Sequence, residues 1–337
     1  MNQVISTNAD AMDLSPSLSW LLTAITAGAL ATTTLLHLRF RHRQANRLAK
    51  RRGLHIVLVG ASSGVGEQLA YQYASRGARL VLAARRESLL ASVREQCLTD
   101  VTCHADLRNL HTIATQCLDG HIDSVIYCVG ALTICPFDAT LAASDEQAAN
   151  LIDQVFKVNA TAPILLARLF LPSLRETALK VASTRRHSAS SSRKSAVKEV
   201  PPHLQPNITV ISSVAGLLPA PSRALYCASK AALHGFFDSL RIEERRFNRV
   251  CPVRVHLVAP GTIVGTDLRA TALDKALWKD GMPVGSKKAG LSALQVAQEV
   301  VRQVDEVLVL PKWYEAAVVL RAIVPGVVDY MAGKKYQ

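Results

Sequence analysis

The apolar run Leu54-His55-Ile56-Val57-Leu58-Val59 ends directly on Gly60-Ala61-Ser62-Ser63-Gly64-Val65-Gly66. A short run rich in Leu, Ile and Val, closed by glycines, reads as a buried parallel strand. The glycines constrain the next element. Gly60 permits a tight turn, Gly64 lets the backbone approach a pyrophosphate, and Gly66 allows a helix to pack closely on the strand. A helix over Gly64–Ala74 would aim its N-terminus at that phosphate. No Gly-Lys-Ser/Thr comes after the loop, so a nucleotide-triphosphate P-loop is disfavoured.

The same alternation recurs along the chain. Strands are expected at Arg79–Ala83, Val101–His104, Ile122–Val129, Asn207–Ile211, Val253–Val258 and Val307–Leu310. Helices are expected at Glu87–Cys97, from Ser144 to Leu179 with a kink near Pro163, from the Ser213–Lys230 region to Arg246, and over Ser292–Asp305. Strands alternating with helices imply right-handed crossovers. The fold class is α/β, a Rossmann-type doubly wound parallel sheet in a single domain.

Tyr226-Cys227-Ala228-Ser229-Lys230 carries the chemistry. A Tyr and a Lys four apart share one helix face, one turn from each other. A nearby ammonium favours the phenolate, which makes the phenol a usable proton donor and acceptor. Ser213 lies thirteen residues before Tyr226, at the end of an apolar run. After the second strand comes Ala83-Ala84-Arg85-Arg86, where an acid would hold the ribose 2′-hydroxyl of NAD. A guanidinium there matches a 2′-phosphate instead, so NADP(H) is the expected cofactor, with Arg85 the first contact and Arg86 the second.

The glycine loop, Ser213 and the Tyr226/Lys230 pair together resemble the short-chain dehydrogenase/reductase family over roughly residues 54–311. Pro219–Tyr226 and Phe236–Arg241 look like its membrane-anchored, hydroxysteroid-dehydrogenase-like branch. The resemblance implies a catalytic tetrad of Asn159, Ser213, Tyr226 and Lys230. In it Tyr226 donates a proton to a carbonyl oxygen, Ser213 orients that oxygen, and Lys230 lowers the tyrosine pKa and holds the nicotinamide ribose. Asn159 positions a water that relays protons to Lys230. The resemblance also implies cofactor contacts at Gly60, Ser62, Ser63, Gly64, Val65, Gly66, Asp106, Leu107, Gly130, Pro260 and Gly261. There are departures. Tyr127-Cys128-Val129-Gly130 replaces Asn-Asn-Ala-Gly, Val59 stands where a Thr is usual, and Thr266 falls one residue late after Pro260.

From Leu14 to Leu38 no charged residue occurs, and Arg39, Arg41, Arg43 and Arg47 come immediately after. About 20 apolar residues span a bilayer. The expectation is a short non-cytosolic tail at 1–13, a transmembrane helix at 14–38 and a basic linker at 39–53, with the catalytic domain facing the cytosol. A cleaved signal peptide would need a basic n-region, and a buried core helix would not carry so sharp a basic border. The net charge of +13 is concentrated in two places, Arg39–Arg52 and Lys180–Lys198. It reads as a membrane flank and an insert rather than a nucleic-acid face. Residues 183–205, basic and Ser-rich, read as a disordered insert. The seven Cys are odd in number and lack C-x-x-C spacing, and the ten His show no metal spacing, so no disulfide framework and no metal site is expected.

Thr262–Leu291, half apolar, is the expected substrate flap, joined by Leu217 and Leu218. The apolar tail at 312–337 suits either the bilayer interface or packing on the domain or on a second copy in a homodimer. The resemblance therefore implies a membrane-anchored, NADPH-dependent reductase of the endoplasmic reticulum. Its expected partner is a small lipophilic ketone, aldehyde or alcohol, steroid-, retinoid- or lipid-like. The alternatives are a lipid-biosynthetic ketoreductase of 3-ketosphinganine or acyl-dihydroxyacetone-phosphate type, and a catalytically silent nucleotide-binding scaffold.

Overall fold

The computed structural model describes residues 53–84, 96–98, 100–188, 199–277, 290–302 and 306–335. The strand expected at the glycine loop is β1 (His55–Val59), and the helix after the loop is α1 (Gly64–Ala74). Next come β2 (Arg79–Ala84), β3 (Gln96–Leu98), α2 (His104–Cys117) and β4 (Ser124–Tyr127). α3 (Asp145–Phe156), a π-helical turn (Lys157–Thr161) and α4 (Ala162–Ser188) lead to β5 (Asn207–Ile211). Beyond it lie α5 (Ala224–Phe247), β6 (Arg254–Pro260), β7 (Ile263–Val264) and β8 (Leu291–Ser292). The chain ends with α6 (Ala293–Val301), β9 (Val307–Leu310), α7 (Trp313–Ile323) and α8 (Pro325–Lys335).

Seven strands form one parallel sheet in the order β3-β2-β1-β4-β5-β6-β9. The order reverses between β1 and β4, and in such sheets the crevice at that point is where ligands bind. Apolar residues fill both faces. Val57, Val81, Val125 and Leu257 meet Leu107, Phe170, Leu174 and Phe237 on one side. Ile56, Leu58, Ile126 and Val258 meet Leu69, Val296 and Val300 on the other. Strands covered on both faces have no polar side to alternate with, which is why they read as unbroken apolar runs.

Helix starts are set by their capping residues. Ser144 and Ser292 each accept from the amide three residues on, and Gln147 and Gln295 reach back to the cap's own N–H. These are capping boxes at the starts of α3 and α6. The kink expected near Pro163 is a π-turn just before it, in which Ala162 N–H reaches Lys157 O.

Three expectations are corrected. The third strand is Gln96–Leu98 rather than Val101–His104, and the latter stretch turns into α2. Cys97 therefore belongs to a strand and not to the end of a helix; the rest of that helix lies almost wholly outside the described residues. The 183–205 stretch is not all insert. α4 continues to Ser188, and Val200 is buried with Ala178, Ala182 and Cys251, its N–H bonded to Val250 O at 2.7 Å. Apolar anchoring at Val200 outweighs the polar composition around it.

The segment 1–52, with the expected anchor, lies outside the described residues. Among the described residues, Asp145–Arg185 is long and apolar enough to cross a membrane by length and composition. Its Leu166, Phe170 and Leu174 are core residues beneath the sheet.

Candidate active site

The glycine loop lies between the ends of β1 and β4. Gly60 has φ +92°, and a Cβ there would come within 2.9 Å of Cys128 C and Val129 Cγ2. A Cβ on Gly66 would overlap Gly60 O. The first glycine is thus required by the turn and the last by the close pass of α1 over the loop. Thr266, one residue late in sequence, still reaches this place. Its methyl lies 3.4 Å from a Cβ built on Gly64, and Gly265 just before it has φ +72°.

Ser213 comes just after β5, and its hydroxyl accepts from Ala215 N at 3.1 Å and donates to Pro260 O at 3.3 Å. Tyr226 and Lys230 sit on the first turns of α5, with the ammonium 5.9 Å from the phenol ring centre. Tyr226 also hydrogen-bonds Ser213 through its side chain. Leu132, Ile134, Ala215 and Ala272 form an apolar wall around the ring. Burial in that wall raises the phenol pKa, and the Ser213 hydrogen bond pulls it down by less. In the free protein desolvation is the largest influence on the phenol.

Lys230 is buried, and its ammonium donates to Ile211 O at 3.3 Å. Desolvation lowers its pKa to about 8. Neighbouring Cys128 is pushed up to about 12 by burial, so its thiol stays protonated.

Asn159 is fully buried in the π-turn. Its Oδ1 accepts from Ala131 N at 2.8 Å, and its Nδ2 donates to Ala131 O at 2.7 Å and to Ser229 Oγ at 3.0 Å. The side chain is committed to holding the segment after β4 against α5. Gly130 sits beside it: a Cβ there would lie 3.6 Å from Asn159 Oδ1 and 3.7 Å from Lys230 Nζ. A side chain at 130 would fill the space in front of both groups.

Several residues complete the site without an obvious motif. Ser229 donates to Tyr226 O at 2.8 Å while accepting from Asn159. Thr133 Oγ1 accepts from Tyr226 N at 3.2 Å. Asp274, in the flap, accepts from Ile134 N at 2.8 Å and Cys135 N at 2.7 Å. The adjacent Leu273 N reaches Leu132 O at 2.9 Å. Of these only Ser229 has a visible signal in sequence, its place inside the Tyr-to-Lys stretch. The others are joined by long-range contacts that no local spacing encodes.

The remaining expected contacts divide. Pro260 ends β6 beside Ser213, and Gly261 N bonds Leu310 O at 2.6 Å. Ser62, Ser63, Gly64 and Val65 lie in the loop and at the start of α1. Asp106 and Leu107 do not end a strand. Asp106 stands in the first turn of α2 with Oδ2 on Asp100 N at 2.9 Å, and Leu107 is committed to the core. Arg85 and Arg86 lie outside the described residues, as does 278–289 of the flap.

The residues present fit a dinucleotide. The loop admits no side chain at Gly60 or Gly66, opens a helix N-terminus, and ends at the sheet's switch point beside the Ser213, Tyr226 and Lys230 cluster. Residues 54–184 and 188–276 match the family profile described as short chain dehydrogenase. The chain is a member of the short-chain dehydrogenase family.

Similar chains agree with that membership. This short-chain dehydrogenase is 29% identical over 299 residues to a "Dehydrogenase/reductase SDR family protein 7-like" of Anopheles gambiae, covering 84% of this chain and 83% of the relative. It is 28% identical to a "Hydroxysteroid 11-beta-dehydrogenase 1-like protein" of Gallus gallus, over 81% and 84% of the two chains. In fold it is similar to a short chain dehydrogenase/reductase from Burkholderia phymatum crystallised with NAD, with a TM-score of 0.62 and 22% identity, over 82% of this chain and 96% of the other. A short chain dehydrogenase from Burkholderia cenocepacia in complex with NADP gives a TM-score of 0.59 at 17% identity, over 83% and 98% of the two chains.

Proposed function

We propose that this chain is a membrane-anchored, NADPH-preferring reductase that converts a ketone or aldehyde of a lipophilic molecule to the alcohol. The observation that carries the reading is the meeting of Ser213, Tyr226 and Lys230 beside the glycine loop, under an apolar wall. The glycine loop and the start of α1 would hold the dinucleotide pyrophosphate, and Arg85 and Arg86 a 2′-phosphate. Tyr226 and Lys230 would hold the nicotinamide ribose, and Pro260 and Gly261 would face the carboxamide. When bound, the nicotinamide supplies the hydride that reaches the carbonyl carbon.

The protein's own part is placement and proton supply. Ser213 holds the carbonyl oxygen by a hydrogen bond. Tyr226 donates the proton to that oxygen, and burial raises the phenol pKa, which favours the proton-bearing form. Leu132, Ile134 and Ala272 exclude water from one side and favour an apolar substrate body. Relatives named for hydroxysteroid dehydrogenation support a steroid-like substrate. The uncharged 14–38 stretch and its basic border support the anchor, and with it an endoplasmic-reticulum membrane with the domain in the cytosol.

The test is oxidation of NADPH and NADH by the full chain in detergent, with cortisone, retinal, decanal, 3-ketosphinganine and acyl-dihydroxyacetone phosphate as carbonyls. Tyr226→Phe is the control. Turnover with NADPH that is lost in the control is the expected result. Turnover with NADH alone would remove the role given to Arg85. Dinucleotide binding without any turnover would favour a nucleotide-binding scaffold.

A further inference from the structure

Tyr127 ends β4, is 1% exposed, and donates its hydroxyl to Val158 O at 2.7 Å. The acceptor is unusual. In an α-helix Val158 O would accept from Ala162 N, but that amide is bonded to Lys157 O. In the π-register the next donor is residue 163, a proline, which has no N–H. The helix itself therefore offers this carbonyl no partner. An interior carbonyl needs one, and the Tyr127 hydroxyl provides it.

The place matters because Asn159 is the next residue. The π-turn carries one residue more than an α-turn and brings Asn159 onto Ala131 and Ser229. The segment leaving β4 thus holds the turn at two points, Tyr127 on Val158 and Ala131 on Asn159. A shorter side chain at 127 would not reach across.

We propose that Tyr127 is a positioning residue: its hydroxyl fixes the register of the π-turn and so sets Asn159 within the site. The catalytic consequence rests on the reductase reading above; the structural consequence does not.

The test uses the full chain as wild type, Tyr127→Phe, Pro163→Ala and the double variant. Phe keeps the ring and its packing, while Ala at 163 restores an N–H that can donate to Val158 O. Two quantities are measured: amide exchange of the 157–164 stretch by mass spectrometry, and turnover of NADPH with decanal. In Tyr127→Phe, exchange over 157–164 should quicken about ten-fold with 207–211 unchanged. The kcat should fall about ten-fold while KM and NADPH affinity stay within about two-fold. The double variant should recover most of both losses. Unchanged exchange in Tyr127→Phe, exchange that quickens equally along all of α4, or a double variant no better than the single would each overturn the proposal. If the wild type does not turn over decanal yet exchange responds and is rescued, the register role stands and the decanal reductase reading fails.

Discussion

Replacing Lys230 with Met should stabilise this protein while silencing it. The ammonium is buried, and desolvation moves its pKa from 10.5 to about 8, a change equivalent to about 3 kcal/mol. That free energy opposes folding wherever the lysine is charged in both states. Met fills a similar volume without the charge, and the lost hydrogen bond to Ile211 O returns about 1 kcal/mol. The net gain near pH 7 is about 2 kcal/mol, which raises Tm by roughly 3 °C for a domain of this size. The sign with pH comes from proton binding. Below pH 8 both folded and unfolded wild type carry the proton, and the whole penalty is present. Between about 8 and 10.5 the unfolded state binds more protons than the folded one, so wild-type stability rises with pH. Thermal melts of wild type and Lys230→Met from pH 6.5 to 10.5 should show a gap that is widest at the acid end, closes as pH rises and slightly reverses at the alkaline end. A variant less stable than wild type at pH 7, or a gap that ignores pH, would refute the reasoning. Loss of turnover in the same variant would mark the cost as one retained for function.

Three further outcomes are expected. In the free protein, burial raises the Tyr226 phenol, so the ultraviolet difference between wild type and Tyr226→Phe should show less phenolate at pH 10 than an ordinary tyrosine gives. Asp274→Ala removes the acceptor for two buried amides, each worth about 1–3 kcal/mol, and loosens the flap; denaturant melts should fall and KM should rise more than kcat drops. Phe237→Ala opens a cavity in the larger core cluster and should cost about 3–5 kcal/mol in urea unfolding without altering which dinucleotide is preferred.

Much of the architecture is legible in local pattern. β1, α1, β5 and β9 fall where apolar runs and glycines put them, because a strand buried on both faces must be continuously apolar and short. β3 escapes the pattern because it is only a three-residue edge strand, and Val101 is as apolar as any strand residue while serving the core from a turn. The end of the 183–205 stretch escapes it because one buried Val outweighs many exposed Ser, and composition averages over both.

The site divides along the same line. Tyr226 and Lys230 are legible because one helical turn separates them, and Gly60, Gly64 and Gly66 because a backbone turn dictates them. Asp274 on Cys135, Thr133 on Tyr226 and Tyr127 on Val158 join residues 139, 93 and 31 positions apart. Such pairs have no period in the sequence. The electrostatics are hidden as well. Four spaced residues say that a phenol and an ammonium meet, but only the packing around Leu132, Ile134 and Ala215 makes desolvation the largest influence on the phenol. The parallel sheet, the glycine turn and the pairing of Tyr226 with Lys230 are written in the linear chain, because each is a matter of local geometry. Which groups are dry, which carbonyls lack a donor and which side chains supply one emerge only on folding, because burial belongs to the assembled fold and not to any stretch of chain.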